Sequence, residues 1–475
     1  MRKPFEPQLE LGQIPIEDIS FDMQCRDEIT KLPMCFQAIF LISELRDQVF
    51  EILKKMVTRD LKNGRPGMDL WTILVLGTLK LNCNWDYDKL VNIANDHKRL
   101  RMTLLHAPED DYRYALRTVA QNIALFTPAI LDEINRVVVR FGHDLCGKRP
   151  DEKLFGSGDS LPVETNVHFP TDIGPLFDAI AKIITRIPGV RREGWRKWKV
   201  LIKKAKKLWR KSQKHKNRKL KNKKKREEIQ NLVIRAHIEY IAYARMIVDR
   251  ACETLGTLSD ADVIAYLRAG EIWGFIRHAQ RQIDQIERRV LNGEKIPHTE
   301  KVFSVFEEHT EWISKGKAGV PQQLGLNVCI IKDQYGFILH HRVMQNETDD
   351  KIAVPIVRET IDRFPEFSGC SFDKGFHSPE NQKVLSEILE RPVLPKKGGP
   401  AQIGSTPEFK EERRKHSAVE SSLSALKNHG LDRCRDHGID GFKRHVALAV
   451  LARNIQIVGH LIQQKERKRL KRSAA

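Results

Sequence analysis

Two acidic residues 47 positions apart are the side chains of this 475-residue chain best placed to do chemistry. Asp373 closes an apolar run, Gly369-Cys-Ser-Phe-Asp373, and is followed by Lys374-Gly375-Phe376, the pattern of a buried strand running out into a turn. Glu420 lies in HSAVESSLSALK, seven residues before Lys427, so two helical turns put both on one helix face. Asp159 belongs to a third element, where Leu161, Val163, Thr165 and Val167 alternate on the aspartate's own side of a strand. Carboxylates from separate elements that meet at one sheet edge repel and raise one another's pKa, so a working cluster of them implies a bound cation. Oxygen-only ligands favour Mg2+ or Mn2+. Two such ions about 4 Å apart suit phosphoryl transfer on nucleic acid. Taken singly, Asp373 reads as a turn residue and Glu420 as a solvated partner of Lys427 or Lys415. Glu164 and Asp172 are substitutes should Asp159 prove misplaced, while Asp172 can equally cap a helix and His168 can be a satisfied, partly buried histidine.

The elements that must position these residues follow from periodicity. From Pro33 to about Asp144 the apolar spacing is helical: Ile39, Ile42, Leu45, Val49, Ile52 and Leu53 form one stripe, and Leu70 to Leu81 is apolar all round, as in a buried helix. Thr127-Pro128 starts a further helix, with threonine as cap and proline at the first helical position. This predicts an all-helical N-terminal domain over 1–150. The first strand of an α/β domain follows over 151–185, then a basic helical insertion over 186–300. The domain resumes over 301–464 with a hairpin (Leu324–Ile331 and Gly336–Val343), a helix from Asp349, the Asp373 strand, a helix from Pro379, a short strand at Pro392–Leu394 and the Glu420 helix. An amphipathic helix from Gly438 to Gln463 and a basic tail, 465–475, complete the chain. The expected fold class is α/β, a mixed sheet interrupted after its first strand.

The formal net charge is +20, and Arg191 to Arg226 alone holds 20 Lys and Arg against one acid, Glu193. Outside that block 62 basic and 61 acidic residues nearly cancel, so the excess is concentrated, as for a polyanion partner or a solvated linker. Within it Trp195, Trp198, Ile202, Ala205 and Trp209 recur every three or four residues. They read as a packing seam, with Lys203, Lys204, Lys206 and Lys207 left to meet phosphate. Trp312, beside a Lys-Gly-Lys loop, can wedge against a distorted base. The eight cysteines show no metal spacing and read as reduced thiols. The longest apolar stretch, Leu70 to Leu79, is far short of a bilayer span and no signal-peptide pattern opens the chain, so a cytoplasmic protein without a membrane partner is expected.

Several strings together carry a family resemblance. DSLPVETNVHFPTD (Asp159–Asp172), HTEWISKGKAG with LGLNV (His309–Val328), FDKGFHSPEN (Phe372–Asn381), HSAVESSLSALKNHGLDR (His416–Arg433) and GRPGMDLW (Gly64–Trp71) resemble bacterial insertion-sequence transposases of the DDE class, the ISNCY-type group in particular. The resemblance spans nearly the whole chain. It implies an RNase H-like catalytic domain with Asp159, Asp373 and Glu420 as the catalytic and metal-binding triad for Mg2+ or Mn2+. It also implies double-stranded DNA as partner, both transposon ends and target, a homodimer pairing the two ends, and action in the bacterial cytoplasm at the nucleoid. Lys427 matches a phosphate-holding lysine of such enzymes, while Arg413 and His416 stand where they carry tyrosine and arginine. Pro162 departs from the pattern: inside a central strand it removes a ladder hydrogen bond, which predicts a bulged strand or a decayed element. The alternative function is therefore a catalytically inactive copy that binds DNA ends as a regulator.

Overall fold

A computed structural model of the chain describes residues 12–57, 67–168, 173–214, 223–258, 263–297, 300–314, 322–396, 416 and 418–473. In chain order the main elements are helices α1 (Glu28–Leu41), α2 (Ser43–Lys54), α3 (Leu70–Asn82), α4 (Tyr87–Asp96), α5 (Lys98–Thr103), α6 (Leu116–Ile123) and α7 (Pro128–Cys146), then strand β1 (Leu154–Thr165). Helices α8 (Gly174–Arg186), α9 (Trp198–Gln213), α10 (Lys223–Gly256) and α11 (Val263–Val290) follow. Strands β2 (Glu311–Ser314), β3 (Gln322–Asp333) and β4 (Ile338–Val343) precede α12 (Asp349–Arg363), β5 (Phe367–Phe372), α13 (Pro379–Ile388) and β6 (Arg391–Val393). The chain closes with α14 (Ala418–Leu426), β7 (Arg433–Cys434) and α15 (Gly438–Ser473). Two compact units result, residues 1–166 with 313–475, and residues 167–312.

In the larger unit the helix starts are chemically marked. Asp27, Asp69 and Asp86 accept from the amides of Ile29, Thr72 and Lys89 at the heads of α1, α3 and α4. Thr127 does the same for α7 through Ile130, with Pro128 at the first position and Gly147 closing the helix at φ 76°. Every residue of α3 is buried, as its uniform apolarity predicts. The stripe from Ile39 to Leu53 belongs to two helices, because Ile42 is extended (φ −86°, ψ 103°) and 41% exposed between them.

Among the described residues β1 runs through a seven-stranded mixed sheet of order β2-β3-β1-β5-β6, with β4 also on β3 and β7 also on β1. β3 is antiparallel to both β1 and β4, which makes the predicted hairpin, whereas β5 is parallel to β1 and β6 to β5. The helices of residues 1–150 have no core separate from this sheet. Leu32, Leu74 and Leu131 join Leu161, Ile330 and Phe372 in one buried cluster, so the boundary read at residue 150 does not divide the structure. α15 is the reason: it packs against α1, α3 and α7 as well as β4. Asn454 on α15 is fully buried and serves as a substitute strand, taking the amide of Ile338 at 3.0 Å and donating to its carbonyl at 2.9 Å. α15 is apolar and long enough to cross a membrane, yet 72% of that stretch is buried, and it runs on through the basic tail to Ser473.

The described residues between 167 and 312 are mainly helical with a core of their own, including Ile180, Ile183, Trp195, Ala205, Tyr240, Ile247, Ile272 and Ile276. The tryptophan stripe is a packing seam: Trp195 is buried with its indole N–H donated to Thr254, and Trp209 stacks on Phe177 at 5.1 Å. α8, assigned with the first strand by sequence, buries Leu176, Ala179, Ile180 and Ile183 in this helical core.

Candidate active site: a cluster of carboxylates

β1 and β5 run parallel in the register Phe155↔Gly369 to Gly158↔Phe372, and each continues by one residue to an aspartate. Asp159 and Asp373 therefore lie side by side where the ladder ends, on strands about 4.8 Å apart. Each is anchored by the amide that follows it, Ser160 N to Asp159 Oδ1 and Lys374 N to Asp373 Oδ1, both at 2.7 Å. That bond holds the rotamer and leaves out the second carboxylate oxygen. Glu420 comes from the first turn of α14, which packs on β1. Asp349, the first residue of α12, makes a fourth. The Asp159 carboxyl is pushed up to about 6, first by burial and then by the charges of Asp373, Asp349 and Glu420, against the Ser160 bond that lowers it. Three carboxylates thus act on Asp159, which a cation would relieve, and an all-oxygen donor set fits Mg2+ or Mn2+.

The strand carrying Asp159 is intact. Its register with β3 is unbroken from Gly156↔Asp333 through Pro162↔Asn327 to Glu164↔Gly325, so Pro162 marks no bulge. The amides of Leu154 and Glu164 bond Glu366 O and Asp432 O, on the side of β1 away from β3. Pro162 has the same parity, and on that side β1 has already left β5 at Gly158. Its missing N–H therefore removes no ladder bond. The glycines before it are also explained by packing: a Cβ at Gly156 would sit 2.8 Å from the Phe367 ring, and one at Gly158 would overlap the Phe372 ring. Neither proline nor glycine signals decay.

His416, one turn ahead of Glu420, places Nδ1 3.1 Å from Ser371 Oγ, itself 2.9 Å from Ser157 Oγ. Burial lowers its pKa although Asp373 and Glu420 pull the other way, which disfavours the charged ring beside the carboxylates. Lys427 opens a π-type turn, Lys427–Leu431, and lines a groove of about 400 Å³ with Pro162, Glu164, Arg433 and Arg435. Glu164 is held there by Arg433 at 3.0 Å and Gln323 at 3.1 Å. It stands five residues from Asp159, roughly 17 Å along the strand, and cannot replace it. His168 pairs with Asp178 at 3.3 Å in the helical unit. Arg413, Asp172 and the Lys-Gly-Lys loop lie outside the described residues, as do 215–222 of the basic block. Lys203, Lys204, Lys206 and Lys207 are exposed on α9, Lys204 with its ammonium 4.9 Å from the Tyr243 ring.

No protein-family model, no curated protein and no solved structure matches the chain. Sequence reasoning missed Asp349 and the serine pair beneath the site. The only local signal for Asp349 is Glu347-Thr-Asp-Asp350, where two acids after a threonine read as an ordinary helix start.

Proposed function

We propose that this chain is a DDE transposase, which binds the inverted-repeat ends of an insertion sequence, hydrolyses a strand at each and joins the freed 3′-hydroxyl to target DNA. The observation that carries the reading is the placement of Asp159 and Asp373 side by side at the end of the β1–β5 ladder, with Glu420 acting electrostatically on Asp159 from α14. The order β4-β3-β1-β5-β6, antiparallel for the first three strands and parallel thereafter, is the arrangement expected of an RNase H-like domain and supports the same reading. Bound Mg2+ or Mn2+ would activate the attacking water or 3′-hydroxyl and stabilise the leaving oxygen. Asp159, Asp373 and Glu420 would hold it, the two aspartates already fixed by their neighbouring amides. Lys427, Arg433 and Arg435 offer cations along the adjacent groove, and Lys203, Lys206 and Lys207 offer them on α9. The helices before β1 are the proposed reader of the end sequence, and two ends call for a homodimer. The inactive-copy reading was motivated by Pro162, and the unbroken β1–β3 register favours the active reading over it.

The test uses duplex DNA from the inverted repeats flanking the chain's own gene, with Mg2+ or Mn2+. Cleavage by the wild type, lost in Asp373→Asn and Glu420→Gln while end binding persists, is the expected result. Cleavage that survives both substitutions, or a wild type that binds ends and never cuts, overturns it.

A further inference from the structure

At the outer side of β4, away from the carboxylate cluster, three ligand atoms of the kind that bind transition metals converge. Asp132 of α7 and His340 and His341 of β4 each bring one ligand atom to within 4.8 Å of the others. The side-chain atoms Asp132 Oδ1, His340 Nδ1 and His341 Nδ1 are buried, and among the described residues none of them has a hydrogen-bond partner. Buried polar atoms are nearly always satisfied, so three at one point need an explanation.

Their protonation makes the gap chemically specific. His340 Nε2 is 2.8 Å from Glu359 Oε2, and a carboxylate accepts, so the ring hydrogen is on Nε2 and the Nδ1 lone pair faces inward. Asp132 uses its other oxygen, Oδ2, to accept from Arg363 at 2.8 Å. A nitrogen lone pair and a carboxylate oxygen thus face each other 4.0 Å apart with no donor between them. A histidine whose far nitrogen is held by a carboxylate is the usual support of a metal-bound imidazole. Of the arginines lining the cavity, Arg363 is held by Asp132 and Arg342 by Glu347 and Glu359, whereas the buried Nε of Arg136 has no hydrogen-bond partner among the described residues. The site opens into a cavity of about 560 Å³, leaving room for a fourth ligand.

From this geometry we infer that Asp132, His340 and His341 form a binding site for a late first-row divalent cation, zinc in the first instance, with Glu359 as the positioning residue for His340. Two imidazoles and one carboxylate select zinc or iron(II) over Mg2+. The site is separate from the carboxylate cluster: Asp159, Ile330 and His341 lie in one row across β1, β3 and β4, which puts the two backbones roughly 10 Å apart. Bound there, the ion would tie α7 to β4 at the margin of the sheet.

The test is metal content and affinity of the full-length protein, stripped with chelator and titrated with zinc, iron(II) under anaerobic conditions, or Mg2+. One equivalent of zinc or iron(II), retained in Asp373→Asn and not displaced by excess Mg2+, is expected. Glu359→Gln should weaken it by about 10- to 100-fold, and Asp132→Asn and His341→Ala more. Circular dichroism in chelator keeps folding separate from binding, and the near-isosteric Asp132→Asn serves if His341→Ala fails to fold. A wild type that takes up neither ion, meaning that water bridges the three atoms, overturns the inference. So does uptake unchanged by Asp132→Asn, or uptake lost in Asp373→Asn, which would place the ion in the carboxylate cluster.

Discussion

With its carboxyl pushed up to about 6, Asp159 is held in a place that disfavours its charge. The folded value lies above the unfolded one, so this group's contribution to stability is full below about pH 4 and is lost as pH rises through 6. In chelator at pH 7.5, Asp159→Asn is expected to stabilise the protein by about 2 kcal/mol, a gain that fades towards pH 4. A melting temperature that falls on substitution at pH 7.5 would contradict the repulsion described. Asp349 adds to that repulsion without standing at a strand end. Asp349→Asn is therefore expected to reduce cleavage by about 10- to 100-fold, as for a residue beside the proposed metal ligands, against complete loss for Asp373→Asn. Equal rates for Asp349→Asn and wild type would remove it from the site. Asp373 and Glu420 were legible in the sequence because each sits in a distinctive local string. Asp349 was not, since an acid in the first turn of a helix has an ordinary reason to be there, the favourable interaction with the helix dipole.

At the scale of elements, β1 depends on what its neighbour carries. Phe367 and Phe372 on β5 lie over Gly156 and Gly158, which brings the two strands into the register that aligns their aspartates. Gly158→Ala would press a methyl group into the Phe372 ring, at an expected loss of 1–3 kcal/mol, about the usual range for overpacking. Because Asp373 follows Phe372 directly, cleavage should fall further than stability explains. An alanine variant that is less stable but cuts at the wild-type rate would separate the glycine from the site. The sequence identified these elements and most of their order, since alternation and helical spacing are local. It misjudged Pro162 because a strand's pattern does not tell which amides face a neighbour. In β1 that is decided by where β5 ends, a fact of topology.

At the scale of the whole molecule, the basic block was legible because composition alone reveals it, and its tryptophan seam because three- and four-residue spacing does. That the first 150 residues share one core with the sheet was not, since helical periodicity shows that a face is buried but not against what. The helical unit is the converse case: residues 167–312 enclose Trp195, Tyr240, Ile247 and Ile276 among themselves, so they hold a core that needs nothing from the sheet. Expressed alone, that unit is expected to unfold cooperatively and to bind duplex DNA without sequence preference, through lysines that its core leaves exposed on α9. Each phosphate contact releases counterions, so the slope of log affinity against log salt counts those contacts at about 0.9 each. Replacing Lys203, Lys206 and Lys207 by alanine should flatten that slope by about 2 to 3 and weaken binding equally on all sequences. A slope unchanged by the triple substitution would mean that α9 faces solvent only, and the contacts would then have to come from the rest of the basic block.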